Sequence, residues 1–307
     1  MRAIVVERWG GPESLVEREV ERPRPGLQEV LVRVHAAGVN PVDWKTRAGG
    51  FLIEWGAVPA VGWDVSGTVE AVGPGVGMFR PGDEVFGMPL FPRQAGAYAE
   101  YVVAPARHFA PKPVDLTHTE AAALPLAALT AWQALVDAAD VRPGERVLVH
   151  AAAGGVGHFA VQIAKARGAY VIGTASAGKH DLVRRLGADE VVDYRTVRFE
   201  DAVTGVDVVL DAIGGETAER SLQVLRAGGR LITLTGPDDV PAARDGVRAM
   251  WVLVEPDHRG LREIAALVER GELKPVVETV LPLAQAAKAH QIGEQGRTTG
   301  KIVLTVL

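Results

Sequence analysis

The stretch ERVLVHAAAGGVGHFAVQIAKARGA, residues 145–169, constrains the fold more than any other part of the chain. A β-branched run leads into Gly154, Gly155 and Gly157, and then Val156, Phe159, Ala160, Ile163 and Ala164 recur at helical spacing. This order predicts a strand, a tight glycine turn and a helix. Glycines let the backbone approach a ligand closely. Free N–H groups and the positive dipole end of the helix would then attract a pyrophosphate. A plain structural turn is the competing explanation, and the surrounding sequence decides between the two.

That surrounding sequence alternates. ERVLVH, AYVIGTA, EVVDY, VDVVLDAIG, GRLITLTG and MWVLV are short apolar runs, most of them separated by helical stretches. Runs without polar alternation suit strands buried on both faces, so a parallel, doubly wound sheet is expected. In this context the glycine turn favours a dinucleotide over a plain turn. Upstream, AIVVE, EVLVRVHAAGV, DVSGTVEAVG, DEVFGM and YAEYVVA read as the strands of a compact β domain. NPVDWKTRAGG reads as a short helix with Pro41 at its start and Gly49 and Gly50 past its end. Residues 117–138 read as helical from a Thr-x-x-Glu start. After residue 258 come a helix, a strand VVETVLPL, a second helix and a closing strand KIVLTVL, which is expected to pack back onto the first domain.

Composition narrows the function classes. With 307 residues, 48% hydrophobic and 23% charged, the chain suits a globular protein with two cores. A net charge of −5 gives no footprint for nucleic acid or an anionic membrane surface. There is no Cys, so thiolate zinc sites and a Cys nucleophile are excluded. The eight His residues show no paired metal-ligand spacing. The N-terminus has no secretory pattern and no apolar run approaches the roughly 18 residues of a membrane span, so a cytoplasmic location is expected. Asn40 is the single Asn in the chain, either the first residue of an Asn-Pro turn or a functional contact.

In chains of this design that take NAD, an acid roughly 20 residues after the glycines binds the ribose 2′-hydroxyl. Here the second strand ends in Thr174, Ala175 and Ser176, with Lys179 following and Arg184, Arg185 and Arg195 nearby. Hydroxyls and cations stand where the acid would be, which selects NADPH, unless Lys179 merely begins a solvated helix.

Taken together, AAGVNPVDWKTRAG, VGWDVSGTVEAVGPGV, FRPGDEVFG, GAYAEYVVAP, EAAALPLAALTAWQAL, HAAAGGVGHFAVQIAKARGA, LGADEVVDYR, DAIGG and GRTTGKIVLTV resemble the medium-chain dehydrogenase/reductase superfamily. Within it they resemble the zinc-independent quinone and enone oxidoreductases. The resemblance implies an α/β chain: a GroES-like β domain of residues 1–121 and 258–307, and a Rossmann NADPH-binding domain of residues 122–257. It puts Asn40 or its neighbours, Trp63-Asp64 and Leu126 where zinc-dependent relatives hold their metal, a set with no thiolate or imidazole. It implies Asn40 and Thr130 at the nicotinamide side, Gly154, Gly155, Val156 and Gly157 at the pyrophosphate, and Ser176, Lys179 and Tyr194 at the 2′-phosphate. Ile213, Leu234 and Thr235 lie at ends of later strands, where such sheets meet ligands, and Lys301 is a looser cofactor contact or a solvated strand end.

The chemistry implied is metal-free hydride transfer to a small electrophile, a quinone or an α,β-unsaturated carbonyl. Without a Lewis acid the acceptor must already be electrophilic, and catalysis needs mainly alignment and a dry pocket. Trp44, Phe51, Trp55, Trp63 and Trp251 are candidates for that pocket or for core packing. Asn40 could donate to a carbonyl oxygen; Lys45, one helical turn further on, points into the same place or pairs with Asp64. A nucleotide-binding redox sensor or structural protein with little turnover is the alternative function. The resemblance also implies a homodimer or homotetramer.

Overall fold

A computed structural model describes residues 1–49, 60–242 and 246–306, and the chain packs as two compact units. The first comprises Met1–Leu129, Glu255–Glu269 and Pro275–Leu307, and the second Thr130–Val254 with Arg270–Lys274. The division falls inside one helix, eight residues beyond the boundary expected at residue 121, and a short return segment joins the second unit.

The first unit holds β1 (Arg2–Val6), β2 (Leu15–Glu19), β3 (Glu29–Val39), β4 (Asp64–Val72), β5 (Glu84–Gly87), β6 (Tyr101–Pro105) and β7 (Phe109–Pro111). Sequence reading had no signal for β2, whose LVERE is mostly exposed, or for the three-residue β7. The helix α1 (Pro41–Gly49) follows β3, and Gly49 is its last residue rather than a residue beyond it. The span expected as one helix from residue 117 is broken. α2 (His118–Ala122) has a complete Thr117–Glu120 capping box, α3 (Pro125–Trp132) restarts at a proline, and a π-helical segment follows over Gln133–Ala138.

In the second unit β8 (Arg146–Val149), β9 (Tyr170–Thr174), β10 (Glu190–Val192), β11 (Val206–Asp211), β12 (Leu225–Thr233) and β13 (Arg248–Trp251) form one parallel sheet. Its order is β10-β9-β8-β11-β12-β13, the doubly wound arrangement read from the alternating apolar runs. β11 is buried throughout and β8 nearly so, as central strands covered on both faces must be. α4 (Gly157–Ala166) packs on β8 and β9 and is buried from Gly157 to Ala164. The chain continues through α5 (His180–Arg185), α6 (Phe199–Ala202) and α7 (Glu216–Ser221).

The chain then returns to the first unit with α8 (His258–Glu269), β14 (Val277–Pro282), α9 (Ala286–Glu294) and β15 (Lys301–Thr305). β15 pairs antiparallel with β3, Ile302 opposite Val39, so the last strand completes the first sheet. This register puts Lys301 beside the end of β3, next to the start of α1. Among the described residues no helix is long and apolar enough to cross a membrane.

Candidate active site

The phosphate loop is built at the carboxyl end of β8. Ala151, not a glycine, makes the sharp turn, with φ of 50° in the left-handed region. Its strain is offset by pairing: its N–H donates to the buried Thr174 hydroxyl at 3.2 Å, and the next N–H, of Ala152, donates to the Thr174 carbonyl at 3.0 Å. The glycines serve close approach instead. A Cβ on Gly157 would lie 2.2 Å from the Ala151 carbonyl oxygen, and one on Gly154 3.1 Å from the same atom. Thr174 is therefore spent inside the sheet rather than offered to a ligand.

Gly154 N–H closes the turn on Ala151, while the N–H groups of Gly155, Val156 and Gly157 donate to no acceptor among the described residues. Three consecutive donors at the N-terminus of a ten-residue helix form a cradle for a diphosphate. A nicotinamide dinucleotide fits here by donor chemistry, and the missing Cβ at residue 157 lets the turn that presents those donors close on the Ala151 carbonyl.

Beyond β9 no carboxylate follows until Asp181. Ser176 is half-buried, and its hydroxyl caps nothing on the one-turn helix Ala177–Lys179. Tyr194 is 55% exposed in the turn after β10, under the Arg195 guanidinium, with its ring centre 5.8 Å away. Ser176, Lys179 and Tyr194 thus follow the adjacent carboxyl ends of β9 and β10, on the edge that carries the glycine loop. After β11, the buried Asp211 accepts from the N–H groups of Ile213 (2.9 Å) and Gly214 (3.0 Å) and turns the exposed Ile213 outward. Burial raises the Asp211 carboxyl above its ordinary range, and those two donors oppose it. Leu234 and Thr235 follow β12, with the Thr235 hydroxyl 3.1 Å from that of Thr233. Thr130 is buried in α3.

In the first unit a polar cluster surrounds Asn40. The Asn40 side-chain N–H donates to Asp64 Oδ2 at 2.8 Å, its carbonyl accepts from the Lys301 ammonium, and Lys301 also reaches Asp64 Oδ2 at 3.2 Å. The Leu126 N–H donates to Asp64 Oδ1 at 2.6 Å. Asn40, Asp64 and Lys301 are 2%, 0% and 2% exposed, so this ion pair is fully internal. Two expectations change here. Lys45 is exposed on α1 and is not brought to Asp64; the carboxylate's partner is Lys301, which is no solvated strand end.

Sequence reasoning missed a second buried network behind Asn40. Asp43 Oδ2 accepts from the Asn40 backbone N–H and the Tyr98 hydroxyl, both at 2.7 Å. His290 Nε2 lies 3.3 Å from the Tyr98 oxygen and Nδ1 3.3 Å from Arg47 Nη1. Arg47 also donates to the Gly10 carbonyl and pairs with Glu294. A guanidinium can only donate, so His290 Nδ1 accepts and Nε2–H points at Tyr98, whose O–H points at Asp43. Burial is the largest influence on each: Asp43 is raised to about 7, Tyr98 stands well above the ordinary phenol, and His290 is lowered to about 3. The Asn-x-x-Asp spacing at a helix start was the one readable sign, because the carboxylate returns to the first N–H as a capping residue does.

Of the aromatic candidates, Trp63 is fully buried, its indole N–H on the Arg93 carbonyl at 2.7 Å, and Trp44 packs on the core edge-on to His290. Both are packing residues. Trp251 is half-buried on β13, and Phe51 and Trp55 lie outside the described residues.

Residues 26–114 match the alcohol dehydrogenase GroES-like domain and residues 186–304 match the zinc-binding dehydrogenase domain. A rat quinone oxidoreductase is 36% identical over 99% of this chain and 97% of its own. This chain belongs to the quinone oxidoreductase family of the medium-chain dehydrogenase/reductase superfamily. A mycobacterial protein solved in complex with NADPH superposes with a TM-score of 0.88 at 34% identity, covering 100% of both chains. A solved NAD-dependent alcohol dehydrogenase reaches 0.90 at 38%, again over 100% of both. The chain is thus an NAD(P)H-dependent oxidoreductase.

The zinc in one matched family's description does not fit these residues. At the places the resemblance assigns to a metal stand a carboxamide, a packed indole beside Asp64, and a leucine whose backbone N–H faces Asp64, while the Lys301 ammonium is already a cation against that carboxylate. Among the described residues no group of three His, Asp or Glu side chains could hold a metal ion.

Proposed function

We propose that the chain uses NADPH to reduce the conjugated double bond of a quinone or an α,β-unsaturated carbonyl without a metal. The observation that carries the cofactor choice is the end of β9, where Ser176 and Lys179, with Tyr194 and Arg195 from the turn after β10, stand in place of a carboxylate. A carboxylate there would repel a 2′-phosphate; a hydroxyl and cations attract it.

When bound, NADPH supplies a hydride from its nicotinamide. The N–H groups of Gly155, Val156 and Gly157 hold its pyrophosphate, Ser176, Lys179 and Tyr194 its 2′-phosphate, and Thr130, Ile213, Leu234 and Thr235 the nicotinamide half. Asn40 donates its second side-chain N–H to the acceptor's carbonyl oxygen as negative charge develops there. A single neutral donor is weaker than a Lewis acid, which restricts the acceptor to compounds already electrophilic. A cytoplasmic homodimer or homotetramer completes the reading.

The test is NADPH oxidation by chelator-treated protein against a panel of quinones and enones. Turnover with at least one acceptor, unchanged by chelation, is expected. Tight nucleotide binding with no turnover of any acceptor would favour a sensor or structural role. Activity lost on chelation and restored by zinc would overturn the metal-free reading.

A further inference from the structure

We propose that Lys301 is a positioning residue that, together with Asp64, fixes the side-chain amide of Asn40 in one of its two flips. The inference rests on the reading that Asn40 donates to the acceptor, and it assigns Lys301 an action through Asn40 rather than on the nucleotide.

A carboxamide is nearly symmetric in shape, so packing alone does not choose between its oxygen and its nitrogen. Here charge chooses. An ammonium has only donors and an ionised carboxylate only acceptors, and paired with each other at 3.2 Å they meet one edge of the Asn40 amide: Lys301 on Oδ1, and Asp64 on Nδ2 at 2.8 Å. The reversed amide would set Nδ2 against the ammonium and Oδ1 against the carboxylate, two repulsions in place of two hydrogen bonds. All three groups are buried, where such contacts are strong. Asp64 is itself held by the Leu126 N–H at 2.6 Å, and Lys301 by the pairing of β15 with β3, so the bracket is anchored at both ends. With both anchors taken, the remaining Nδ2–H has no acceptor among the described residues, and it is a donor, not an oxygen, that is left for a developing oxyanion.

Asn40 is the only asparagine in the chain, which gives a direct test. Labelling with 15N-asparagine yields one side-chain NH2 signal. In the wild-type protein two well-separated protons, exchanging slowly and rotating slowly, are expected; in Lys301→Met rotation and exchange should quicken by about tenfold or more. In the same variant kcat should fall at least about tenfold with NADPH affinity within about threefold of wild type, and Lys301→Arg should recover part of the loss. If Lys301→Met does not fold, the wild-type amide and Lys301→Arg still decide: a wild-type amide that rotates like a free one overturns the proposal. So does an amide signal unchanged by the substitution, or a loss of nucleotide affinity parallel to kcat, which would place Lys301 on the cofactor. Should the wild-type protein reduce no quinone or enone, the functional reading fails while the amide signal still judges the role of Lys301.

Discussion

Asp43 is a carboxylate with no exposed surface, held by one backbone N–H and one phenol, and its second oxygen has no hydrogen-bond partner among the described residues. Burial moves it to about 7. In the unfolded chain it ionises near pH 4, so between about pH 4 and 7 the folded state keeps a proton that the unfolded state releases. Stability then falls as pH rises through that window. His290 and His150, both lowered to about 3 by burial, act with the opposite sign, and their contribution is lost as pH falls below about 6.5. Asp43→Asn keeps an acceptor for both donors and cannot ionise. The stability of the variant should therefore gain on wild type by about 1–4 kcal/mol between about pH 4.5 and 7.5, measured as urea midpoints. A gap that stays constant across that range would contradict the assignment. At this scale Asn40 was legible, being the only residue of its type beside a proline. The partner of Asp64 was not, because Lys301 lies 237 residues away and a strand-end lysine looks solvated until β15 is paired with β3.

Among the elements, the strand–loop–helix at β8 and α4 was legible because periodicity switches at the glycines. Its turn residue was not, since an alanine at φ 50° leaves no mark in sequence and depends on the Thr174 hydroxyl, which lies on another strand. Gly157→Ala should push the loop off its own carbonyl, costing about 2–4 kcal/mol and at least tenfold in NADPH affinity, as read by calorimetry and nucleotide fluorescence. Wild-type affinity in that variant would mean that the loop relaxes freely or that the nucleotide binds elsewhere. The capping box of α2 was read correctly at Thr117, but the helix it begins stops at Ala122. Pro125 ends it, and the restart carries the Leu126 N–H that holds Asp64. Thr117→Ala should lower stability by about 1 kcal/mol in a denaturant titration, with kcat unchanged because the Leu126 contact belongs to the following helix.

At the scale of the molecule, one chain leaves its first unit, builds a six-stranded parallel sheet and returns to close the first sheet with its final strand. This plan was legible from the shift between bounded β-branched runs and alternating apolar runs, and from the apolar KIVLTVL at the end. The mostly exposed β2 and the short β7 carry no such pattern, and register between distant strands is set by packing that a linear reading does not contain. The proposal that joins fold to function is that the edge beyond β9 and β10 accepts a 2′-phosphate, with Ser176, Lys179 and Tyr194 where an acid would bind a ribose hydroxyl. Equilibrium titration of the protein with NADPH and with NADH, at one ionic strength, tests it most directly. NADPH should bind at least about tenfold more tightly, with the gap shrinking in Lys179→Glu; equal or tighter binding of NADH would contradict the account.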